Sequence, residues 1–230
     1  PVEITSDTTT IGRGTDSVIK VAGGDILVAS HSVTGGINEI ELWRCIKTNN
    51  CDQATNWTNG SGPIAINITN SFDFKINPST NYLTLVYQSD STSSNQHSNG
   101  IVYKEWSTST GLWTAGPEKL IAMAYDPVGL AAAEISLGIE PTGRKHVFWW
   151  EHAAGFEFTL RHRFSKGNLW GGDKIVNWTG SAITDIPIKT QSFFDNSTSV
   201  HGDHKFHIGY SQLNNSVQEF VVSTREPAYF

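Results

Sequence analysis

The sequence predicts an all-β protein, a four-bladed β-propeller with four antiparallel strands in each blade. The first observation is a repeat. Trp57, Trp113 and Trp170 lie about 57 residues apart, and four such units account for nearly all of the 230 residues. The second is composition, because Ser, Thr and Asn supply 62 residues and favour strands and turns over helices. The third is that no segment has a sustained apolar period of about 3.6 residues.

A strand with one buried face precedes each of these tryptophans, and a fourth such run follows one period later. Apolar and polar residues alternate in these runs, as expected when one face of a strand is buried. The runs are Glu39–Lys47, Gly100–Trp106, Phe156–Phe164 and Val217–Thr224.

Three further strands complete each repeat, separated by Gly, Pro, Asn and Ser clusters that are typical of turns. The predicted innermost strands are Asp16–Val21, Phe72–Ile76, Ala133–Leu137 and Asp185–Thr190. The second strands are Ile26–Ser30, Tyr82–Tyr87, His146–Trp150 and Lys205–Tyr210. The outer strands are Gly62–Ile68, Gly116–Ala122 and Gly172–Asn177. The predicted blades are therefore residues 16–68, 72–122, 130–177 and 183–224, within a single domain of residues 1–230.

The N-terminal segment aligns with the outer strands that begin at Pro63 and Pro117. Residues 1–10 are therefore expected to complete the last blade, either on their own chain or on a neighbouring copy. Closure within the chain is the commoner solution, whereas the hinge-like Ile11–Thr15 favours exchange between copies, which would build a filament. The residues expected in this pairing are Val2, Glu3, Ile4, Thr5, Phe220, Val221 and Val222.

Charge and composition exclude several classes of partner. The net charge is −6 with a pI near 5.7, and no basic run is present, which argues against nucleic acid. No apolar run of about 18 residues is present, which argues against membrane insertion. No cofactor is expected, and His201, His204 and His207 are interpreted as loop and surface histidines rather than metal ligands.

Other features indicate an extracellular or cell-surface location. Cys45 and Cys51 can form a short disulfide, although two reduced thiols are also compatible with their spacing. The chain begins at Pro1 without Met, which fits either a processed secreted protein or a trimmed chain. Six glycosylation sequons are a mild excess over chance. They are Asn56, Asn59, Asn67, Asn177, Asn196 and Asn214.

Ser107-Thr-Ser-Thr-Gly111-Leu-Trp113 resembles the Asp-box repeat of the sialidase-like propeller superfamily, Ser-x-Asp-x-Gly-x-x-Trp. It keeps the Ser, Gly and Trp, but Ser109 replaces the Asp and one residue is missing before the Trp. Ser165–Trp170 is a looser match. The resemblance implies a propeller and an association with carbohydrate. Sialidases of this group have six blades, whereas this chain supplies four.

A sialidase also needs three arginines around the substrate carboxylate, a Tyr/Glu nucleophile pair and an acid/base Asp. The arginines of this chain show no pattern that would bring three of them together. They are Arg13, Arg44, Arg144, Arg161, Arg163 and Arg225. Asp73 and Glu134 are carboxylates that could face one another, but structural carboxylates are commoner. The sequence therefore predicts a protein without catalytic activity.

Two candidate binding sites follow from the alignment of the repeats. Aromatic and polar residues at the ends of the second strands form a candidate glycan site, because sugars bind to ring faces beside hydrogen-bonding groups. They are His31, Tyr87, Trp150, His152 and Tyr210. Lysines at one aligned position of the inner strands form a candidate anion site in the channel, with ion pairs between blades as the alternative. They are Lys20, Lys75 and Lys189.

The favoured hypothesis is a non-catalytic, glycosylated structural subunit that assembles with copies of itself into an extracellular fibre or surface array. One alternative is a carbohydrate-binding, lectin-like propeller. Another is a degenerate sialidase-like glycoside hydrolase.

Overall fold

A computed structural model describes the backbone over sixteen segments of the chain. These are residues 17–20, 24–34, 36–59, 65–66, 68–89, 100–107, 110, 112–113, 119–123, 133–153, 157–166, 169–171, 174–177, 190–194, 206–214 and 217–225. The regular elements among them are β-strands and one single-turn 3-10 helix, Ala54–Asn56. Within these residues no helix has the length and apolar character needed to cross a membrane.

The chain divides into two compact units. The first contains residues 1–76 and 81–120, and the second contains residues 77–80 and 121–230. Each unit is built from antiparallel sheets whose strands follow one another along the chain, which is the pattern that short turns between consecutive strands produce.

The first sheet has the order β1-β2-β3-β4, and β5 also pairs with β3. Its strands are β1 (Ser17–Lys20), β2 (Ile26–Thr34), β3 (Ile37–Cys45), β4 (Trp57–Asn59) and β5 (Ala65–Ile66). The β2–β3 hairpin turns at Gly36, whose φ of 86° lies in the left-handed region that glycine adopts without steric cost.

The second sheet repeats this arrangement. Its order is β10-β8-β7-β6, and β9 also pairs with β8. Its strands are β6 (Ile68–Ile76), β7 (Tyr82–Ser89), β8 (Gly100–Ser107), β9 (Leu112–Trp113) and β10 (Lys119–Met123).

One continuous apolar core joins the two sheets within the first unit. It forms because alternate residues of each strand point to the same face. Burying this apolar area is the main stabilising contribution to the unit. Its members are Leu27, Ala29, Ile40, Leu42, Phe72, Phe74, Leu83, Leu85, Tyr87, Val102 and Trp106.

The second unit contains a third sheet with the order β11-β12-β13-β14, in which β15 also pairs with β13. Its strands are β11 (Ala133–Ile139), β12 (Lys145–Ala153), β13 (Glu157–Lys166), β14 (Leu169–Trp170) and β15 (Lys174–Asn177). Another sheet has the order β16-β17-β18, with β16 (Thr190–Phe194), β17 (Phe206–Asn214) and β18 (Val217–Arg225).

The three tryptophans that define the repeat occupy equivalent places in three sheets. Trp57 pairs with Cys45, Trp113 with Trp106 and Trp170 with Ser165. Each lies on the short strand that follows the third strand of its sheet. The prediction of an all-β chain of antiparallel sheets is therefore confirmed.

One predicted strand has to be moved. The innermost strand of the last repeat was expected at Asp185–Thr190, but the strand that pairs with β17 is Thr190–Phe194. Thr190 lies opposite Tyr210, and Phe194 lies opposite Phe206. The alignment of the repeats did not account for irregular spacing between repeats, so it placed this strand several residues too early. Residues 185–189 lie outside the described part of the chain.

Candidate functional site

The first strands of two sheets, β6 and β11, each carry a carboxylate next to a β-bulge. On β6, the register shifts between Ile68 and Phe72, so three residues of β6 lie opposite Gln88 alone. Asp73 follows this bulge, pairs with Val86 and is half-buried. Bulges are common beside active sites because they redirect a side chain out of the regular pleat.

The second bulge is centred on an acidic residue. On β11, Ala133 pairs with Trp150 and Ile135 pairs with Trp149, which leaves Glu134 as the extra residue of the bulged strand. The sequence analysis had named both Asp73 and Glu134. The bulges add a structural reason to consider each of them as a functional carboxylate.

The Asp73 carboxylate also makes a local contact. Its Oδ1 accepts a hydrogen bond from the backbone N–H of Phe74 at 2.8 Å. A hydrogen bond of this kind favours the charged form of a carboxylate. Asp73 is therefore held at the start of the regular part of β6, and Phe74 next to it is anchored in the core.

Two of the predicted glycan-binding residues, Tyr87 and Trp150, are buried. Tyr87 is 0% exposed and Trp150 is 1% exposed, because both point into the apolar interior from central strands. A buried ring cannot stack on a sugar, so the prediction is wrong for these two residues. His31 is half-buried, and its Nε2 lies 3.0 Å from Oδ1 of Asn38 across the β2–β3 hairpin.

The other two glycan candidates are placed only by their backbone. His152 lies on β12 opposite Phe158, and Tyr210 lies on β17 between Thr190 and Val221. Their role in sugar binding stays a prediction.

The predicted lysine ring also stays a prediction. Lys20 pairs with Ile26 beside the β1–β2 turn, whereas Lys75 pairs with Thr84 one step further from its own turn. Ser136, the aligned residue of the next repeat, pairs with Phe148 and is further still from the turn. Lys189 lies outside the described residues.

Three of the arginines have contacts within their own unit. Arg44 donates from Nε to Oδ2 of Asp25 at 2.9 Å, and its guanidinium lies 5.6 Å from the ring of Trp106. Arg144 is 3.7 Å from Glu140, and Arg163 donates to the backbone oxygen of Ile121. These contacts fit structural roles.

The remaining candidate residues lie at loops and strand ends. Cys45 and Cys51 form a disulfide with a Cα–Cα distance of 5.9 Å. The sequon residue Asn56 lies in the 3-10 helix, where its amide donates to the backbone oxygen of Asn50 at 2.8 Å. Three other sequons stand at the ends of strands, and their glycosylation stays a prediction: Asn59, Asn177 and Asn214. Asn67 and Asn196 lie outside the described residues.

The proposed strand pairing is only half described. Phe220, Val221 and Val222 lie on β18, the last strand in the described order β16-β17-β18. Val2, Glu3, Ile4 and Thr5 lie outside the described residues, so the pairing within the chain or between copies stays a prediction. His201 and His204 also lie outside the described part, and His207 is on β17.

The structure contains a buried polar cluster that the sequence analysis missed. Nε2 of His146 lies 2.8 Å from Oε1 of Glu140, and Nδ1 of His146 lies 2.9 Å from Nε2 of His162. The hydroxyl of Thr142 donates to Oε2 of Glu140 at 3.0 Å. His146 and His162 stand on strands that were both predicted, but the contact depends on the register between them, and no motif in the sequence reveals that register.

The environment shifts the pKa values of this cluster. Burial lowers the pKa of His146, and the neighbouring Glu140 carboxylate only partly opposes this shift. Burial alone would raise the pKa of Glu140, but hydrogen bonds from His146 and Thr142 and the charge of Arg144 hold it below its usual value. At neutral pH the cluster therefore contains an ionised carboxylate beside a neutral imidazole.

No family model matches this sequence, and no curated protein matches it at a significant level. Solved structures do match the fold. The catalytic domain of a GH62 α-L-arabinofuranosidase from Coprinopsis cinerea aligns with a TM-score of 0.60 at 11% identity, over 96% of this chain and 67% of that one.

Two other matches are also carbohydrate-active enzymes. An endo-arabinase from Bacteroides thetaiotaomicron aligns with a TM-score of 0.57 at 11% identity, over 98% of this chain and 79% of that one. A Hadza microbial sialidase aligns with a TM-score of 0.53 at 10% identity, over 91% of this chain and 36% of that one. At these identities the likeness concerns the fold and not the activity.

These matches correct two earlier interpretations. The chain has a propeller-like fold shared with glycoside hydrolases, so the resemblance holds for the fold in general and not for Asp-box repeats in particular. The prediction that the protein is not an enzyme is contradicted, because several solved structures that share its fold, among them an arabinofuranosidase and an endo-arabinase, are enzymes. The absence of a sialidase-like arginine pattern was too narrow a criterion, since it tests only one of the chemistries that this fold supports.

Proposed function

We propose that this protein is a carbohydrate-active enzyme that hydrolyses glycosidic bonds. Asp73 in the first unit and, separately, Glu134 in the second unit are candidates for a catalytic carboxylate. The observation that carries the proposal is the combination of a fold shared with glycoside hydrolases and a carboxylate at or directly after the bulge of β6 and of β11. Glycoside hydrolysis generally requires two carboxyl groups with different roles.

The local surroundings of Asp73 support a role as the ionised carboxylate. A hydrogen bond from Phe74 N–H to its Oδ1 favours the charged form, which a base or nucleophile needs. Glu134 is the corresponding candidate in the second unit. Its position as the extra residue of a bulge supports a functional role, because bulges beside active sites redirect a side chain.

The substrate class proposed first is an α-L-arabinofuranoside or arabinan, because two of the matched solved structures are named for those activities. A sialoside is the second class to test, on the match to a sialidase. The experiment is a turnover assay of the full chain on aryl α-L-arabinofuranoside, linear arabinan and an aryl sialoside, beside the Asp73→Asn and Glu134→Gln variants.

The proposal expects turnover by the wild type and a loss of about a hundredfold or more in kcat for at least one of the two variants. Asp52→Asn is the control, because Asp52 is an exposed carboxylate in the turn between β3 and β4 and belongs to neither bulged strand. Turnover that survives both substitutions would overturn the assignment of the residues. Sugar binding without turnover on every substrate would overturn hydrolysis and favour the lectin-like alternative.

A further inference from the structure

We propose that Glu140, His146 and His162 form a proton-sensitive latch that holds the β11–β12 turn closed near neutral pH and releases it in mild acid. The three side chains form one line of hydrogen bonds, from the Glu140 carboxylate through the His146 ring to the His162 ring. His146 is 3% exposed and Glu140 is 7% exposed, so water cannot easily replace these partners. The proposal is independent of the enzymatic function proposed above.

The tautomers follow from the partners. The ionised Glu140 can only accept, so Nε2 of His146 carries a proton. Nδ1 of the neutral His146 ring is then an acceptor, and it accepts a hydrogen bond from Nε2–H of His162. The pair can hold one additional proton without loss of this hydrogen bond, because the proton can add to Nδ1 of His162 while Nε2–H of His162 still donates to Nδ1 of His146. A second proton places N–H against N–H, which breaks the bond and leaves two cations side by side.

The other groups around the pair restrict where protons can go. Phe148 stacks on His162 at 4.5 Å between ring centroids, so one side of the histidine pair is apolar. Arg144 lies 5.8 Å from the Phe164 ring, so another side of the pair is cationic. Arg161 and Arg163 alternate with His162 along β13 and lie on the opposite face. Lys174 lies opposite His162 in the register with β15.

Among the described residues, Lys145 precedes His146 on β12, and the segments on β11, β16 and residues 77–80 place no titratable side chain opposite the pair. On β11, Gly138 is opposite His146, and Glu134 is at the far end of that strand. β16 has the sequence Thr-Gln-Ser-Phe-Phe, and residues 77–80 are Asn-Pro-Ser-Thr. The nearby cations, Arg144 above all, repel a pair in which both histidines are protonated. A second proton can therefore bind only if the turn moves and separates these groups.

The turn is the element that the latch controls. It is held by backbone hydrogen bonds from Glu140 N to Arg144 O at 2.9 Å and from Gly143 N to Glu140 O at 2.8 Å. It also accepts a hydrogen bond at Gly143 O from the amide of Asn77 at 3.3 Å. Loosening Glu140 therefore frees the turn and weakens its contact with residues 77–80.

The test is amide hydrogen exchange of the full chain, compared at about pH 7.5 and about pH 5 after correction for the intrinsic rate. We expect the protection of residues 140–144 and 77–80 to fall about tenfold or more in acid in the wild type. His162→Gln keeps an N–H that can donate to His146 but does not titrate, so its protection should change by less than about twofold. His31→Gln, at a half-buried histidine in the other unit, should behave like the wild type.

Equal protection of the wild type at both pH values, or the same loss in His162→Gln, would overturn the latch. If His162→Gln does not fold, NMR titration of His146 and His162 in the wild type tests whether the two rings titrate as a coupled pair. Two separated, coupled steps support the proposal. Two independent rings that titrate together near the ordinary histidine pKa contradict it.

Discussion

The indole Nε1–H of Trp57 donates a hydrogen bond to the backbone oxygen of Cys51 at 2.9 Å. Cys51 is joined by a disulfide to Cys45, which is itself paired with Trp57 in the β3–β4 register. The first of the repeated tryptophans therefore closes a ring of contacts around the exposed turn between these strands. The Nε1–H of Trp57 stabilises the turn, and its ring stabilises the sheet.

Trp57→Phe should lower the free energy of unfolding by about 1 kcal/mol beyond the loss of buried area, because the Cys51 carbonyl loses its donor. Trp43→Phe is the matched control, since Nε1 of Trp43 is buried and has no hydrogen-bond partner among the described residues. Urea unfolding of both variants checks this. If Trp43→Phe costs as much as Trp57→Phe, the hydrogen bond contributes nothing measurable.

Removing the disulfide should have a moderate effect. The bond closes a loop of six residues in sequence separation, and the chain-entropy relation for a loop this short gives about 2 kcal/mol. The Cys45→Ala, Cys51→Ala double variant should therefore unfold at a lower denaturant concentration while its slope on denaturant stays almost unchanged. A variant with wild-type stability would show that the unfolded turn is already restricted without the bond.

The repeat was the part of the fold that the sequence could predict. A Trp in each short strand, and alternation in the strand before it, depend on local patterns that recur along the chain. The position of β16 could not be predicted in the same way, because nothing local distinguishes Asp185–Thr190 from the observed Thr190–Phe194.

The candidate functional residues also divide into those that a local sequence pattern can reveal and those that depend on tertiary structure. Asp73 and Glu134 were recognisable as inner-strand carboxylates, but the bulges beside them arise from the register of two strands. Tyr87 and Trp150 were assigned to a sugar site from their residue type, and only packing shows that they are buried. The contact between His146 and His162 depends on the β12–β13 register, which is a tertiary property.

Gly143→Ala should destabilise the protein more than Gly36→Ala. Both glycines have a φ of 86°, so each substitution carries the same left-handed cost of about 1 kcal/mol. A Cβ at Gly143 would also clash with Oγ of Ser79, whereas a Cβ at Gly36 meets nothing within 4 Å. The difference should be about 1–3 kcal/mol.

Thermal unfolding of the two glycine variants measures this difference. Adding Ser79→Gly to Gly143→Ala should recover part of the loss, because it removes the two Ser79 atoms that the new Cβ meets and leaves only Oδ1 of Asn77 beside it. Equal costs at the two positions would show that the turn moves aside without penalty.

Tyr103 should ionise only at an unusually high pH. Burial, with a smaller contribution from the Glu105 charge, raises the pKa of Tyr103 to about 12. A spectrophotometric titration of the wild type minus Tyr103→Phe should therefore show no phenolate from this residue near the ordinary value of about 10. Glu105→Gln should shift its ionisation to lower pH. A difference signal that titrates near 10 would show that water reaches the ring.

Asp25 should stabilise the first unit at neutral pH and lose this effect in acid. Its Oδ1 accepts the backbone N–H of Lys47 at 3.0 Å, and its Oδ2 pairs with Arg44. The Lys47 hydrogen bond, supported by Arg44, lowers the pKa of Asp25. A carboxylate with a lowered folded pKa stabilises the fold above its unfolded value near 3.8, and this contribution disappears as the pH falls through the folded pKa.

Asp25→Asn should therefore be less stable than the wild type by about 1 kcal/mol at pH 7, and the two proteins should converge as the pH falls from 3.8 through the lowered folded pKa of Asp25. Asp52→Asn is the control, because Asp52 is an exposed carboxylate in the same region. Urea midpoints measured from neutral to acid pH give both curves. A gap between wild type and Asp25→Asn that stays constant across this range would mean that Asp25 acts through packing and not through its charge.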